Sequence, residues 1–293
     1  MSTEFRLTYS GETADEGVLE FYDASVSLVG FHRSLALTTH LVLNNEIITQ
    51  APALKGAQLL VKAPAKGSWE ITTVLILIAS GVYKLGTLKS DTPIGHLISS
   101  AYDYVISETL GFRVDYNKTL GQQVEELKEA GGKAPPGLAP VRLDSLIEKC
   151  QTAIKDMHRP IVFSRSAKSG AIVSKISSEQ RVIGTTLNAE TFDYVSFETL
   201  SDSSEQFMGH VTSYNINTFK GRIYVPSIGR PIPFTVLERA RHERSIALIC
   251  ESLTSSARTN FKNSAEVIFT GFRVSSRSGQ LKMVNVQVID KAL

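Results

Sequence analysis

The chain has 293 residues, 42% hydrophobic and 20% charged, with a formal net charge of +2. That composition is globular and long enough for two domains, each with its own core. Its two cysteines, Cys150 and Cys250, exclude a disulfide framework and a cysteine-built zinc site, and read as buried thiols of a reducing compartment. The charge is uneven: residues 201–293 hold twelve Lys and Arg against seven Asp and Glu, and residues 1–200 hold nineteen against twenty-two. The C-terminal third is therefore the part that attracts an anionic partner.

In chain order, residues 5–9 alternate in polarity and predict a first strand. The start, MSTEFRLTYSG, lacks the basic and apolar regions of a signal peptide, so a cytoplasmic protein is expected. Residues 18–44 predict one long helix, with Leu19, Tyr22, Val26 and Val29 on a stripe. Gly30 falls inside it at a cost of roughly 1 kcal/mol relative to Ala, which points to a close helix contact or a kink. Asp23 and Arg33 in that apolar stretch are expected to make a structural polar contact. Leu28, Leu35 and Leu43 lie off the stripe, and two small domains leave such surface uncovered. A homo-oligomer assembled through the N-terminal domain is the expected consequence.

Residues 57–63 read as a strand, 64–67 as a turn and 69–78 as another strand. The apolar run 71–83 is thirteen residues long, short of the ~20 that span a membrane, so it belongs in a protein core. Residues 94–110 predict a helix with Leu97, Ala101, Tyr104 and Val105 inward and Gly111 as its stop. GGKAPPGLAP, within 131–141, reads as a linker, because prolines and glycines at that density sustain neither helix nor sheet. A helix then follows over 143–158, with Leu146, Ile147, Cys150 and Ile154 on one face and Asp144 favouring the dipole in its first turn. Residues 160–181 show no clear period. The expected organisation is an N-terminal α+β domain (1–130), a linker (131–141), a connecting segment (142–204) and a C-terminal domain (205–293).

The C-terminal domain has the sharpest pattern. Strand, strand, strand, helix, strand, strand is the element order of an OB-like barrel. Along residues 219–225, Phe219, Gly221, Ile223 and Val225 point one way, and Lys220, Arg222 and Tyr224 the other. Upstream, His210, Thr212, Tyr214 and Ile216 are expected on one face of their strand. A helix is predicted over 245–258, and Ser278 with Gly279 closes a hairpin between 266–274 and 281–289. Candidate partner-binding residues are Tyr214, Lys220, Arg222, Tyr224, Arg273, Arg277 and Lys282. Cations there neutralise phosphates and tyrosines stack on bases. The charged run 238–244 reads as a solvated helix start.

The chain carries no HExxH, CxxC, GxSxG or Walker A sequence. His32 and His40 are eight residues apart, roughly 12 Å along a helix, too far to share a metal. No cofactor, metal or membrane partner is expected.

FYDASVSLVGFHRSLALTTHLVLN and KGSWEI resemble an uncharacterised family of bacterial and phage proteins, and YNINTFKGRIYVPSIGRPIPF is similar to its companion C-terminal domain of unknown function. The resemblance brings no catalytic residues. It implies a place on mobile elements, in antiphage defence or phage counter-defence. The leading expectation is a non-catalytic protein whose basic C-terminal barrel docks nucleic acid or a nucleoprotein. The alternatives are a protein–protein inhibitor or assembly subunit, and an enzyme for nucleotides or other small molecules built around His32, His40 or His96.

Overall fold

The computed structural model describes residues 3–62, 69–79, 82–83, 93–112, 120, 140–176, 178–259, 265–277 and 279–292. It is mixed α+β and divides into two compact units, residues 1–195 and 196–293.

The first unit is an antiparallel sheet carrying helices. β1 (Thr3–Ser10), β2 (Ala57–Val61), β3 (Glu70–Ala79), β5 (Ser169–Ile176) and β6 (Glu179–Leu187) run in the order β2-β3-β1-β5-β6, and the short β4 (Val82–Tyr83) pairs with β3. β1 is central, paired with β3 on one side and β5 on the other. Its alternation does what the period of a strand requires: Phe5, Leu7 and Tyr9 are buried, and Glu4, Arg6 and Thr8 are only partly so. The buried set joins one core with residues of α1 (Phe21–Asn44), α2 (Pro93–Thr109) and α3 (Pro140–Asp156).

Expected and observed elements agree at most of these places. Gly111 adopts φ +80° just past α2, as a stop residue does. The turn expected at 64–67 and most of the expected linker lie outside the described residues. The unit boundary, however, falls between Val195 and Ser196, not within 131–141. The segment expected to connect two domains instead completes the first: α3 packs on α1 and α2, and β5 and β6 extend the sheet.

Helix α1 ends on Asn45 at φ 55°, whose N–H reaches the Leu41 carbonyl. It is the one helix among the described residues that is long and apolar enough to cross a membrane, but two thirds of that stretch is buried in the protein. Gly30 is where α3 crosses: a Cβ there would stand 2.3 Å from the Ala153 carbonyl oxygen. Asp23 does not meet Arg33. Its buried carboxylate accepts from Arg159 Nε at 2.8 Å and from the Ser164 N–H at 2.9 Å, while Arg33 donates to the Thr49 carbonyl. Cys150 is buried, which pushes its thiol up to about 12, whereas Cys250 is exposed, contrary to expectation.

His158 is fully buried at the end of α3. One ring nitrogen, Nδ1, lies 2.9 Å from the Ile154 carbonyl, so it donates, and burial keeps the ring neutral. Nε2 then accepts from the Thr191 hydroxyl at 2.9 Å. Burial lowers the pKa to about 4. A histidine whose folded pKa lies below its unfolded 6.5 contributes stability that is complete above pH 6.5 and lost as pH falls towards 4. At ~1.4 kcal/mol per pKa unit, protonation of His158 is expected to cost about 3 kcal/mol. Urea unfolding at pH 7 and pH 4.5 checks this. His158→Gln is expected to flatten the fall seen with the native chain, and an equally steep fall in the variant would refute the assignment.

The second unit holds β7 (Thr199–Asn215), β8 (Lys220–Val225), β9 (Arg230–Val236), α6 (Glu243–Thr259), β10 (Val267–Ser275) and β11 (Leu281–Lys291); α4 (Arg159–Val162) and α5 (Ala189–Ser196) precede it in the chain. All five strands and the helix expected from the sequence are present. The strands close into a ring, β10-β11-β9-β8-β7 and back to β10. Every neighbouring pair is antiparallel except β9 with β11. Val211, Ile223, Ile232, Phe234, Phe269 and Val286 fill the interior. Gly221 permits the tight curvature, since a Cβ there would lie 2.2 Å from the Ser213 carbonyl oxygen and 2.7 Å from the Phe234 ring.

Pro231 and Pro233 explain an asymmetry of this ring. The ladder from β9 to β8 runs through both, so their hydrogen-less nitrogens face β11. β11 pairs with β9 only at Phe234–Val236, beyond the prolines. Arg230 bridges the opening by donating to the Leu281 carbonyl.

Candidate nucleic-acid interface on the C-terminal unit

Pairing registers define a surface three strands wide on the outside of the ring. Its rows are Asn215–Lys220–Thr235, Ser213–Arg222–Pro233 and His210–Tyr224–Pro231 across β7, β8 and β9. The period of two on β8 creates it: Ile223 and Val225 are buried inside, and Lys220, Arg222 and Tyr224 stand outside. At ~3.3 Å per residue the outer set spans roughly 13 Å. Tyr224 stacks on His210 with ring centroids 5.1 Å apart and 25° between planes. His210 is buried, and desolvation holds its pKa below the ordinary value, so the ring stays neutral at physiological pH. The cations of this face are therefore Lys220 and Arg222, beside an aromatic pair and two prolyl rings.

Tyr214 does not join them. A bulge between Val211 and Ser213 shifts the register, so His210 pairs with Tyr224 but Tyr214 pairs with Gly221. One extra residue in a strand sends the following side chains to the other face. The ring of Tyr214 instead lies parallel to that of Phe234, 6.2 Å away, against the core. The bulge also frees the Val211 N–H, which donates to Ser252 Oγ of α6 at 3.0 Å.

The other three candidates hold the β10–β11 hairpin. Arg273 donates to Ser275 Oγ at 2.9 Å and to the Gly279 carbonyl at 3.0 Å, and lies 4.0 Å from Glu205. Lys282 pairs with Glu198 at 3.0 Å, its side chain almost wholly covered. Arg277, in the turn, sits 5.4 Å over the Phe197 ring. These six positions thus fall into a β8 set on the outer face and a hairpin set that ties the hairpin's turn and its neighbours at residues 197 and 198. Arg241, in the run read as a solvated helix start, is structural: its guanidinium lies 4.3 Å over Phe219, and its Nε donates to the Val236 carbonyl at 2.9 Å. Phe219 carries φ +57°, so Arg241 pins the β7–β8 turn. The stacked His210 and the two prolines were not singled out from the sequence as parts of this face. The period-two spacing Pro231-x-Pro233 beside Lys220-x-Arg222 was the available signal.

The three histidines of the alternative enzyme reading occupy different settings. His32 is exposed on α1, His40 is buried with Nδ1 accepting from the Lys55 N–H at 3.1 Å, and His96 is half-buried on α2. Among the described residues no three His, Cys, Asp or Glu side chains gather as a metal site would need.

A family model described as a domain of unknown function, DUF7946, matches residues 5–196. The chain belongs to this family. A second model, the family of unknown function DUF7947, matches residues 203–287. The two matches follow the two compact units within a few residues of the division at 195 and 196. No curated protein and no solved structure matches the chain.

Proposed function

We propose that this DUF7946 chain is a non-catalytic binding protein whose C-terminal unit is an OB-type barrel that holds single-stranded nucleic acid across β7, β8 and β9. The observation that carries the reading is the connectivity. Numbered within the unit, the strands close as one-two-three-five-four, the helix lies between three and four, and three and five are the parallel pair. An OB fold is a five-stranded, partly open Greek-key barrel, and its ligands lie over strands two and three and the loops that join one to two and four to five. Strand two here is β8, which carries Lys220, Arg222 and Tyr224 outward. The gap beside Pro231 and Pro233 supplies the partly open seam. Cations that track a phosphate backbone beside stacking rings are the general means of binding single strands without reading their sequence. The excess of five positive charges in residues 201–293 supports the same partner. A cytoplasmic setting, and the role in conflict between bacteria and phages that the resemblance implies, accord with such an activity.

Fluorescence anisotropy with a labelled single-stranded oligonucleotide, at low and at moderate salt, tests this. The native chain is expected to bind with an affinity that falls as salt rises, by about 0.7 log unit per log unit of salt for each phosphate neutralised. Lys220→Glu with Arg222→Glu is expected to weaken binding by about a hundredfold or more while the unfolding temperature holds. Tyr224→Ala removes one stacking ring and is expected to cost about 5- to 150-fold, from ~1–3 kcal/mol per stacked base. No binding by the native chain at low salt would end the nucleic-acid reading and favour a protein partner on the same face.

A further inference from the structure

Helix α1 presents an apolar stripe that the first unit leaves uncovered. Val18, Phe21, Tyr22 and Val29 are all more than half exposed, and Phe21 reaches 84%. Phe21 precedes Ser25 and Val29 by four and eight residues and Tyr22 precedes Val29 by seven, so these share one side of the helix with the half-buried Ser25 between them, and Val18 lies just ahead of its first turn. Phe163, also more than half exposed, lies beside this side. The Leu35 expected to be left bare is fully buried, and Leu28 and Leu43 are half covered. The uncovered surface therefore lies on the N-terminal half of α1.

Two of these rings, Tyr22 and Phe163, are held in place. Arg159, ion-paired to Asp23, lies 5.1 Å from the centroid of Tyr22 and 4.5 Å from that of Phe163. A surface already fixed loses little freedom when a partner arrives. With ~200 Å² for an aromatic side chain, these five residues expose roughly 600 Å². That is most of the ~800 Å² per partner of a standard interface.

The charge along the stripe selects the occupant. Glu16 and Glu20 are exposed at its N-terminal end, and Arg33 is exposed at the other. Two copies of α1 laid antiparallel across Ser25 bring acid to base at both ends. They also set Tyr22 of each copy against Val29 of the other. The smallest residue of the stripe falls at the crossing, where two helices approach closest. One patch, opposite in charge about its own centre, is what a two-fold interface requires.

We propose that the protein is a homodimer joined by antiparallel contact of the N-terminal halves of two α1 helices, with Ser25 next to the two-fold axis. Light scattering on the full chain at micromolar concentration is expected to give twice the chain mass. Phe21→Glu with Val29→Glu is expected to raise the dimer dissociation constant by about a hundredfold or more with unchanged circular dichroism, since both side chains are exposed. Ser25→Cys in a Cys250→Ser background is expected to cross-link into dimers with a short thiol-reactive reagent, and Glu190→Cys in that background is expected not to. A monomeric native chain would overturn the proposal. So would a dimer that survives the double charge substitution, or one in which Ser25→Cys fails to cross-link.

Discussion

A fragment ending at residue 130 is expected to remain unfolded, and one ending at residue 196 to unfold cooperatively. The reason lies in the order of the sheet. β1 sits in its middle, and one of its two edges is covered by β5, which follows it by about 160 residues. Cutting at 130 strips β5 and β6, leaves the backbone groups of β1 unpaired along one edge, and removes α3 from α1 and α2. It also deletes Leu146, Cys150, Ile154, Met157 and Ile172 from the shared core, each of them buried. At ~1.5–3 kcal/mol for each large apolar side chain, these losses equal the whole ~5–15 kcal/mol that keeps a domain folded. Circular dichroism and urea titration of the two fragments check this. A cooperative transition in residues 1–130 would mean that the unit divides where its Pro- and Gly-rich stretch falls.

The second large effect reverses a rule. Gly→Ala inside a helix ordinarily stabilises by ~1 kcal/mol. Gly30→Ala is expected to destabilise by about 2–4 kcal/mol instead. The new methyl carbon would stand 2.3 Å from the Ala153 carbonyl oxygen, and that atom is backbone, so α1 and α3 must part. Gly30→Val is expected to be worse still. Urea unfolding of both variants measures the cost, and a stabilised Gly30→Ala would show that the helices cross elsewhere.

These two cases mark where local sequence carried the structure and where it did not. Gly30 was legible because a glycine in a long apolar helix has few reasons to be there other than close approach. β8 was legible because alternation over seven residues fixes both faces at once. β5 was not, because its inward residues include Gly170 and Ser174 while Ala171 and Val173 face outward, so the contrast between faces is weak. Ser174 is tolerated inside because it accepts from Ser99 Oγ at 2.8 Å. The boundary was misplaced for a related reason. Proline and glycine mark where regular structure cannot continue, but not whether the chain later returns to the same sheet.

The candidate face shows the same limit at one residue. Tyr214 belongs with Lys220 and Tyr224 by strict alternation, and a single bulge at residues 211–213 removes it. Nothing in VTSYN announces that extra residue. The ring closure that supports the OB reading is equally invisible locally, because the parallel pairing of β9 with β11 depends on residues about fifty positions apart. Only the missing N–H groups of Pro231 and Pro233 foreshadow that the pairing starts late.

Hydrogen–deuterium exchange on the full chain, with and without a saturating single-stranded oligonucleotide, tests the central claim most directly. Protection is expected to concentrate in residues 210–235, with a second, smaller effect at the β10–β11 turn near 276–282, and to leave residues 3–62 unchanged. Protection confined to the first unit, or none in 210–235 when the oligonucleotide is bound, would contradict it.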